Sequence, residues 1–527
     1  MIDEGTIGIA NEHGVLAHQH TEAARNPTAD ASAATPRAAG ASASVHAARC
    51  ATIPQHVHLL GAGGAGVSGA ALLLVERGHA VSGQDRAESS FVDALRARSV
   101  AIAVGDSEAR QLPREAQMVV RSAAIALDDP QIVEAERRGI PILKYAELLG
   151  RLGPARRTLA VAGTHGKTTS SWLLYHALNG IAQAAGTDAP GALVGGTCRA
   201  VGTNAVAQGP DGWFACEACE YDRSFLQISP EGAIITNVEP DHLDYYGTFE
   251  AIEEAFARFV DRAHPEGLLV VGRAVSTRVE DAARCNVWRL GRELHVDLRG
   301  EQRGRFRFRL RGPGWATPDV QLAIPGSFNV DNAALAIALA VALSSRTTSL
   351  SSAQCADAAA RGVQRYPGAA RRFEPWGTFG GIDLVHDYAH HPTEVRVTLE
   401  AARRAFPGKP LHVLFQPHQH SRTARFLEDF VDALRAADRV LVADVYGARK
   451  HIDREAAGAP DLVARLRRAG VDALEAGDPS SAVKKLAQGL PSHCAALILG
   501  AGDIDLAHDE LLEAVALRGA QPRAARA

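Results

Sequence analysis

The segment Gly163-Thr164-His165-Gly166-Lys167-Thr168-Thr169 combines the residue types that handle phosphate. It lies between an apolar run, Thr158–Ala162, and a helical pattern that begins at Ser170-Ser171-Trp172. Glycines let backbone N–H groups approach phosphate oxygens, and the start of a helix adds its positive dipole end. Lys167 can then reach the outer phosphates of a nucleotide, and the Thr168 hydroxyl can join the shell of a magnesium ion. Only six of the 56 basic residues are lysines, which makes a lysine at this position informative. The spacing, Gly-x-x-Gly-Lys-Thr, is shorter than the Gly-x4-Gly-Lys-[Ser/Thr] of the common phosphate loop. The plain alternative is a glycine turn carrying a surface lysine.

A second glycine turn, Gly61-x-Gly63-x-x-Gly66, follows the apolar His56–Leu60. Asp85 stands about twenty residues further on, where an acid meets a ribose hydroxyl in dinucleotide-binding folds. Any nucleotide with a pyrophosphate satisfies this physics, so the pattern does not require NAD. Close packing that needs glycine, with no ligand, produces the same spacing.

Acids should accompany the phosphate loop, because a magnesium–nucleotide site needs a carboxylate near the loop threonine. Glu217 and Glu220 are the candidates, at the end of the extended Trp213–Glu220. Along a strand they would face opposite sides, so one of the two is expected to be the ligand. Asn237-Val238-Glu239-Pro240-Asp241-His242-Leu243-Asp244 places polar groups directly after an apolar strand, where open α/β sheets bind ligands. His242 is a candidate second metal ligand, with the acids ordering water around it; Asp241 serving as a helix cap is compatible with that. Cys216-x-x-Cys219 lacks the second ligand pair that structural zinc needs and reads as strand thiols. Asp387–Pro392 and Gln416–Arg422 each follow a predicted strand and carry His390, His391, His418 and His420. The histidines alone suggest zinc, but with Arg422 they suit an anionic substrate or phosphates. Gly500-Ala501-Gly502-Asp503 reads as one more active-site turn.

Alternating strand and helix patterns supply the scaffold. Residues 53–154 read as one small α/β domain, and 155–367 as a second that contains both the phosphate loop and the acids. The second includes an arginine-alternating strand at Arg303–Arg311 with a wet face, and a helix over Asn332–Leu343. Pro367-Gly368 marks the next boundary, and 368–527 alternates again through Leu411–Phe415, Val440–Val445 and Ala495–Leu499. Residues 1–52 read as a disordered extension with no signal-peptide core.

At 527 residues the chain exceeds one ordinary core. Its net charge of −4 argues against a nucleic-acid protein that depends on a basic surface. Seven scattered cysteines suit reduced thiols, and no apolar run approaches the ~20 residues of a membrane helix, so no membrane insertion and a cytoplasmic location are expected.

Taken in order, these motifs resemble the Mur ligases, the ATP-dependent enzymes that build the peptidoglycan stem peptide. The resemblance is carried by Gly61–Gly69 with Ser68, Gly163–Thr169, Glu217–Phe225, Asn237–Asp244 and Gly326-Ser327-Phe328-Asn329 with Asn332. It continues through Arg371-Arg372-Phe373-Glu374, Asp387–Glu394, Gln416–Thr423 and Gly500–Asp503, and so spans most of the chain. Within the family the chain most resembles the members that attach L-alanine to UDP-N-acetylmuramate.

The resemblance implies a three-domain α/β architecture: a Rossmann-like first domain, a central P-loop ATPase-like domain and a Rossmann-like third domain that closes over the site. It implies that Gly61, Gly63, Gly64, Gly66, Ser68, Asp85, Ser122 and His418 bind the UDP-sugar. ATP is assigned to Gly163, Thr164, His165, Gly166, Lys167, Thr168, Thr169, Asn329, Asn332, Arg372, Asp387 and Tyr388. Two Mg²⁺ ions are implied, one on Thr168 and Glu220 and the other on His242. Catalytic roles fall to Lys167, Glu220, His242, His390 and Arg422, and a monomer or weak homodimer is expected.

The chain departs from the family at Phe328, where histidine is frequent, at Gln419, where arginine is common, and at Lys450, where glutamate is usual. A sister ligase that transfers a preformed tripeptide is the nearest rival, but its first loop usually departs from the Gly-Gly-x-Gly-x-Ser pattern seen here. An NAD-dependent dehydrogenase leaves the phosphate loop and Glu220 without a role. A catalytically dead nucleotide binder sits poorly with intact Lys167, Thr168, Glu220 and His242.

Overall fold

The computed structural model describes residues 52–153, 156–447 and 457–520. The extension read over 1–52 therefore lies almost wholly outside the described residues, as does Lys450.

The first sheet is parallel, in the order Ala101–Val104, Ala80–Asp85, His56–Leu60, Met118–Arg121, Ile142–Lys144. His56–Leu60 is central because Val57, Leu59 and Leu60 are apolar and are covered on both faces. The chain leaves its C-terminal end at the point where strand order reverses, so the Gly61–Gly66 turn occupies the crevice of the sheet. The helix that follows, Ala65–Glu76, is closed by Gly78 at φ 86°.

The second sheet runs Asn286–Arg289, Leu268–Val271, Gly232–Ile235, Thr158–Ala162, Phe214–Glu217, Gly191–Cys198, Thr203–Val206. Only its last pair is antiparallel. Every residue of Thr158–Ala162 is buried, which explains its unbroken apolar run. Its neighbours on either side end at Glu217 and at Ile235, so acidic and amide side chains flank the phosphate loop.

The arginine-alternating segment is the strand Arg305–Gly312, with Phe306, Phe308 and Leu310 buried and Arg305, Arg307 and Arg311 turned outward. It belongs to a separate four-stranded antiparallel sheet with His295–Gln302, Trp315–Ala316 and Val320–Gln321. Period-two patterning shows a half-buried strand but cannot say which sheet it joins.

The third sheet runs Glu374–Phe379, Ile382–Asp387, Cys494–Leu499, Leu411–Phe415, Arg439–Ala443, Ala473–Gly477, with only the first pair antiparallel. Asp387 and Phe415 both align with Leu499, so the three turns singled out in the sequence leave one end of one sheet together. Three sheets in succession make the expected three-domain α/β architecture. Among the described residues no helix is long and apolar enough to cross a membrane.

The long helix Lys167–Ala185, which begins in the phosphate loop, is held by an approach of backbone to backbone. It meets Ser352–Gln364 at Gly180 and Gly362, where an added Cβ would lie 2.4 Å from the Ala358 carbonyl oxygen and 2.0 Å from that of His176. Neither neighbour is a flexible side chain, so the helices must part to admit a methyl group. Gly362→Ala is expected to destabilise by about 1–3 kcal/mol, read as a lower denaturation midpoint. An unchanged midpoint would show that the helix pair tolerates separation.

Candidate active site

The phosphate loop is bolted to the strand beside it. Gly163 has φ 137°, and a Cβ there would lie 2.0 Å from Thr236 Oγ1. The Thr236 hydroxyl donates to the His165 carbonyl at 2.6 Å, while Asn237 Oδ1 accepts from the His165 N–H at 2.9 Å. Thr164 Oγ1 accepts from the Glu239 N–H at 2.9 Å. Asn332, which also contacts Asn329 at 3.1 Å, has its amide oxygen 2.9 Å from where a Cβ on Gly166 would sit. Asn332 therefore borders the loop, with Asn329 packed behind it. Nothing in the sequence marks Thr236, because a threonine after a strand is commonplace.

Lys167 curls back over the loop, donating from Nζ to the carbonyls of Gly163 at 2.7 Å and Thr164 at 2.9 Å. Glu220 Oε2 lies 2.9 Å from the same ammonium. Burial alone would discharge Lys167, but the Glu220 carboxylate outweighs it and raises its pKa.

Thr168 Oγ1 donates instead to Glu217 Oε2 at 2.9 Å, which also accepts from the Gly195 N–H at 2.9 Å. The structure departs from the expectation that one of the two acids faces away. The strand stops at Glu217, and Glu220 sits past it at the start of a short helical turn, so strand alternation does not separate them. Both carboxylates reach the loop, one through Thr168 and one through Lys167.

His242, in a left-handed conformation at φ 51°, brings Nε2 to 3.9 Å from Glu220 and 3.8 Å from Asp241. Burial lowers its pKa against the pull of both acids, which favours the neutral ring that a metal requires. A hydroxyl and two carboxylates supply the hard oxygen donors that fit Mg²⁺, with the neutral imidazole as one borderline donor beside them. Cys216 is a buried thiol whose pKa burial pushes up to about 12.

From the third domain, Asp387, Tyr388 and Arg372 come together as expected. Asp387 accepts from the N–H groups of Phe373 at 2.7 Å and Ala389 at 2.9 Å. Burial lifts its pKa to about 6 despite Arg372. The guanidinium of Arg372 lies 5.1 Å from the Tyr388 ring centre. His390 is held by burial at about 4, and its Nδ1 lies 3.0 Å from the Tyr388 carbonyl oxygen. A carbonyl only accepts, so the proton sits on Nδ1 and Nε2 carries the lone pair. His418 stands among Arg422 at 3.2 Å and the rings of His390 and Tyr446.

Central and third domains meet through charges. Arg422 donates to Asp241 Oδ1 at 2.7 Å, with both side chains less than 10% exposed. Thr393 Oγ1 donates to Glu239 Oε2 at 2.8 Å. The His165 ring contacts Glu394 Oε1 at 3.2 Å and Glu239 Oε2 at 3.6 Å. His165 thus faces the seam with its side chain and the loop with its backbone. Glu394 and Thr393 received no role from the sequence; they open a helix, where an acid and a hydroxyl need no other explanation.

In the first domain, Gly61 has φ 76° and passes beside Ser122, whose Cβ would be 2.9 Å from an added methyl. Asp85 Oδ2 accepts from the Gly63 N–H at 2.7 Å, fixing the turn from the neighbouring strand. A Cβ on Gly66 would meet the Tyr145 ring at 2.6 Å, whereas Gly64 is more open. Ser68 is buried and turns its hydroxyl onto the Ala65 carbonyl at 3.0 Å, towards Asn204 of the central domain. The turn therefore serves close packing at Gly66 and leaves backbone open at Gly64.

The seam has a pH dependence. Burial opposes a charge on His165, yet the Glu394 and Glu239 carboxylates prevail and hold its pKa at about 9, above the ordinary 6.5. A raised folded-state pKa gives stability that is complete below about 6.5 and fades as pH rises through about 9. The Tm deficit of His165→Gln relative to wild type should therefore be large near pH 6 and shrink by about pH 10. A deficit that stays constant would show that the ring is neutral throughout.

Three family models cover almost all of the described chain. The model for the Mur ligase family catalytic domain matches residues 56–157, that for the Mur ligase middle domain 161–340, and that for the Mur ligase glutamate ligase domain 371–502. A UDP-N-acetylmuramate–L-alanine ligase of Saccharopolyspora erythraea is 39% identical over 88% of this chain and 93% of its own length. A ligase of that name from Kineococcus radiotolerans is 40% identical over 88% of this chain and 96% of its own. The crystal structure of UDP-N-acetylmuramate–alanine ligase from Thermotoga maritima superposes with a TM-score of 0.70 at 25% identity, covering 87% of this chain and 98% of that one. A murein peptide ligase from Psychrobacter arcticus shares the fold at a TM-score of 0.65, with 22% identity, over 88% and 99% of the two chains. With all three domains matched in order and relatives aligned over nearly the whole described length, this chain belongs to the Mur ligase family.

Proposed function

We propose that this chain ligates L-alanine to the lactyl carboxylate of UDP-N-acetylmuramate, consuming ATP and releasing ADP and phosphate in peptidoglycan precursor synthesis. The observation that carries the reading is the meeting of Lys167, Thr168, Glu217, Glu220 and His242 at the ends of three adjacent parallel strands. The named relatives support the choice of sugar nucleotide and amino acid. We divide the work among residues 53–154 for the UDP-sugar, 155–367 for ATP and 368–527 for closure, and place it in the cytoplasm.

In the first step a carboxylate oxygen forms a bond to the γ-phosphorus, the bond to the bridging oxygen breaks, and ADP leaves. Two anions must meet, so Lys167 neutralises charge along the transfer path. Thr168, Glu220 and His242, with Glu217 accepting from Thr168, would hold Mg²⁺, which would supply further neutralisation. In the second step the alanine amine attacks the acyl carbon, the carbon–oxygen bond to phosphate breaks, and the amine gives up a proton. His390, uncharged and with a free lone pair on Nε2, is in the right state to take it. Water would destroy the acyl phosphate, so Arg422 contributes by fastening the third domain onto Asp241.

ADP release should depend jointly on UDP-N-acetylmuramate, L-alanine and Mg²⁺. Equal rates with a stem tripeptide in place of alanine would instead assign the sister reaction. Lys167→Ala should lower turnover by about 10² or more, because it removes charge stabilisation from the transition state. Near-normal turnover would remove the phosphate-loop assignment.

A further inference from the structure

We infer that His165, Glu239 and His391 form a binding site for a zinc-class divalent cation at the seam between the central and third domains. One ligand atom from each residue lies within 4.8 Å of the other two. The three come from separate places in the chain: the phosphate loop, the segment after Gly232–Ile235, and the residue that caps the helix Pro392–Ala405.

The geometry is close to that of a closed shell. His165 Nε2 and Glu239 Oε2 are 3.6 Å apart. Zinc–nitrogen bonds of about 2.0–2.1 Å place tetrahedral ligands roughly 3.4 Å from one another, so the site closes with a movement of about 1 Å. The groups behind the ligands are also in place. Glu394 Oε1 lies 3.2 Å from His165 Nδ1, the outer carboxylate that commonly orients a metal-bound imidazole. Thr393 fixes Glu239 from the other side at 2.8 Å.

Two ring nitrogens in this cluster make no hydrogen bond of normal length, although one of them lies 3.6 Å from Glu239. His165 Nε2 and His391 Nε2 are buried without a hydrogen-bond partner, and His391 is only 5% exposed. A buried ring nitrogen without a hydrogen bond is costly, and a cation shared with the Glu239 carboxylate would satisfy both rings. A proton on His165 competes for the same lone pair, and the cation must displace it to solvent. On His391, Nδ1 accepts from the Thr393 N–H at 3.3 Å, which places that ring's proton on Nε2. Moving the proton to Nδ1 gives up this long contact and requires the ring to turn away from the Thr393 N–H.

A set with two imidazoles and only one carboxylate favours zinc or cobalt, whereas Mg²⁺ favours sets made mostly of oxygen donors. The site is therefore chemically distinct from the nucleotide's metal. Since its ligands come from both domains, a bound ion ties them together and opposes the reopening that product release needs. The inference goes beyond the ligase reading and is tested apart from activity.

The test is a Co²⁺ titration of the full chain, with excess Mg·ADP present to occupy the nucleotide site, followed by visible absorption. Wild type should show the intense band of four- or five-coordinate cobalt, displaced by Zn²⁺ and not by added Mg²⁺. His13, His18, His20 and His46 also offer imidazoles, so the quantity read is the difference between proteins. Glu239→Gln and His391→Gln should each lose one equivalent of bound cobalt or bind it at least tenfold more weakly. If His391→Gln fails to fold, Glu239→Gln decides alone, because glutamine can still accept from Thr393. An unchanged band and stoichiometry in the variants would overturn the site, as would the absence of any such band in wild type.

Discussion

The ammonium of Lys167 is buried among two carbonyls of its own loop and the Glu220 carboxylate, and this arrangement organises the central domain. A buried ion pair is weak as a source of stability, since desolvation cancels most of the attraction. Its value lies in placing charge. The strand Thr158–Ala162 must be central so that the strands on either side can deliver Glu217 and the Thr236–Asn237 pair to the loop. The helix behind must start at Lys167 and cannot slip, which is why it packs through Gly180 and Gly362. The shortened glycine spacing suits this design, because Thr236 fills the space that a side chain on Gly163 would need.

The same loop extends the charge network to the third domain. His165, two residues before Lys167, is paired with Glu394, and Asp241, next to His242, is paired with Arg422. Each side of the nucleotide cluster is therefore one residue or two from a contact across the seam. In the proposed reaction, closing the third domain and completing the phosphate and metal site would be parts of one event. A reaction whose intermediate is destroyed by water gains from that coupling.

Much of this was legible in the sequence. The strand–turn–helix order around Gly163–Thr169 fixed the loop, and the polar block after the Gly232–Ile235 strand marked a ligand-facing edge. Other features were hidden for identifiable reasons. An extended reading to Glu220 sets Glu217 and Glu220 on opposite faces, and only the backbone shows the strand ending at Glu217. The separate sheet containing Arg305–Gly312 was hidden because alternation reports burial and not pairing. Glu394 and Thr393, inside the Asp387–Glu394 motif, carry no individual role in the sequence reading because contacts 229 and 154 residues apart leave no local pattern. Asp85 and Ser68 carry internal hydrogen bonds that spacing alone could not reveal.

The central claim is that the charges gathered around Lys167 serve phosphoryl transfer to a carboxylate, followed by attack of an amine. It is tested most directly with UDP-N-acetylmuramate carrying ¹⁸O in its lactyl carboxylate, by mass analysis of the phosphate released during one turnover with ATP and L-alanine. The account predicts one ¹⁸O atom in each phosphate, because the oxygen that attacked phosphorus leaves with it. Phosphate free of label, with amide formed at the normal rate, would contradict it.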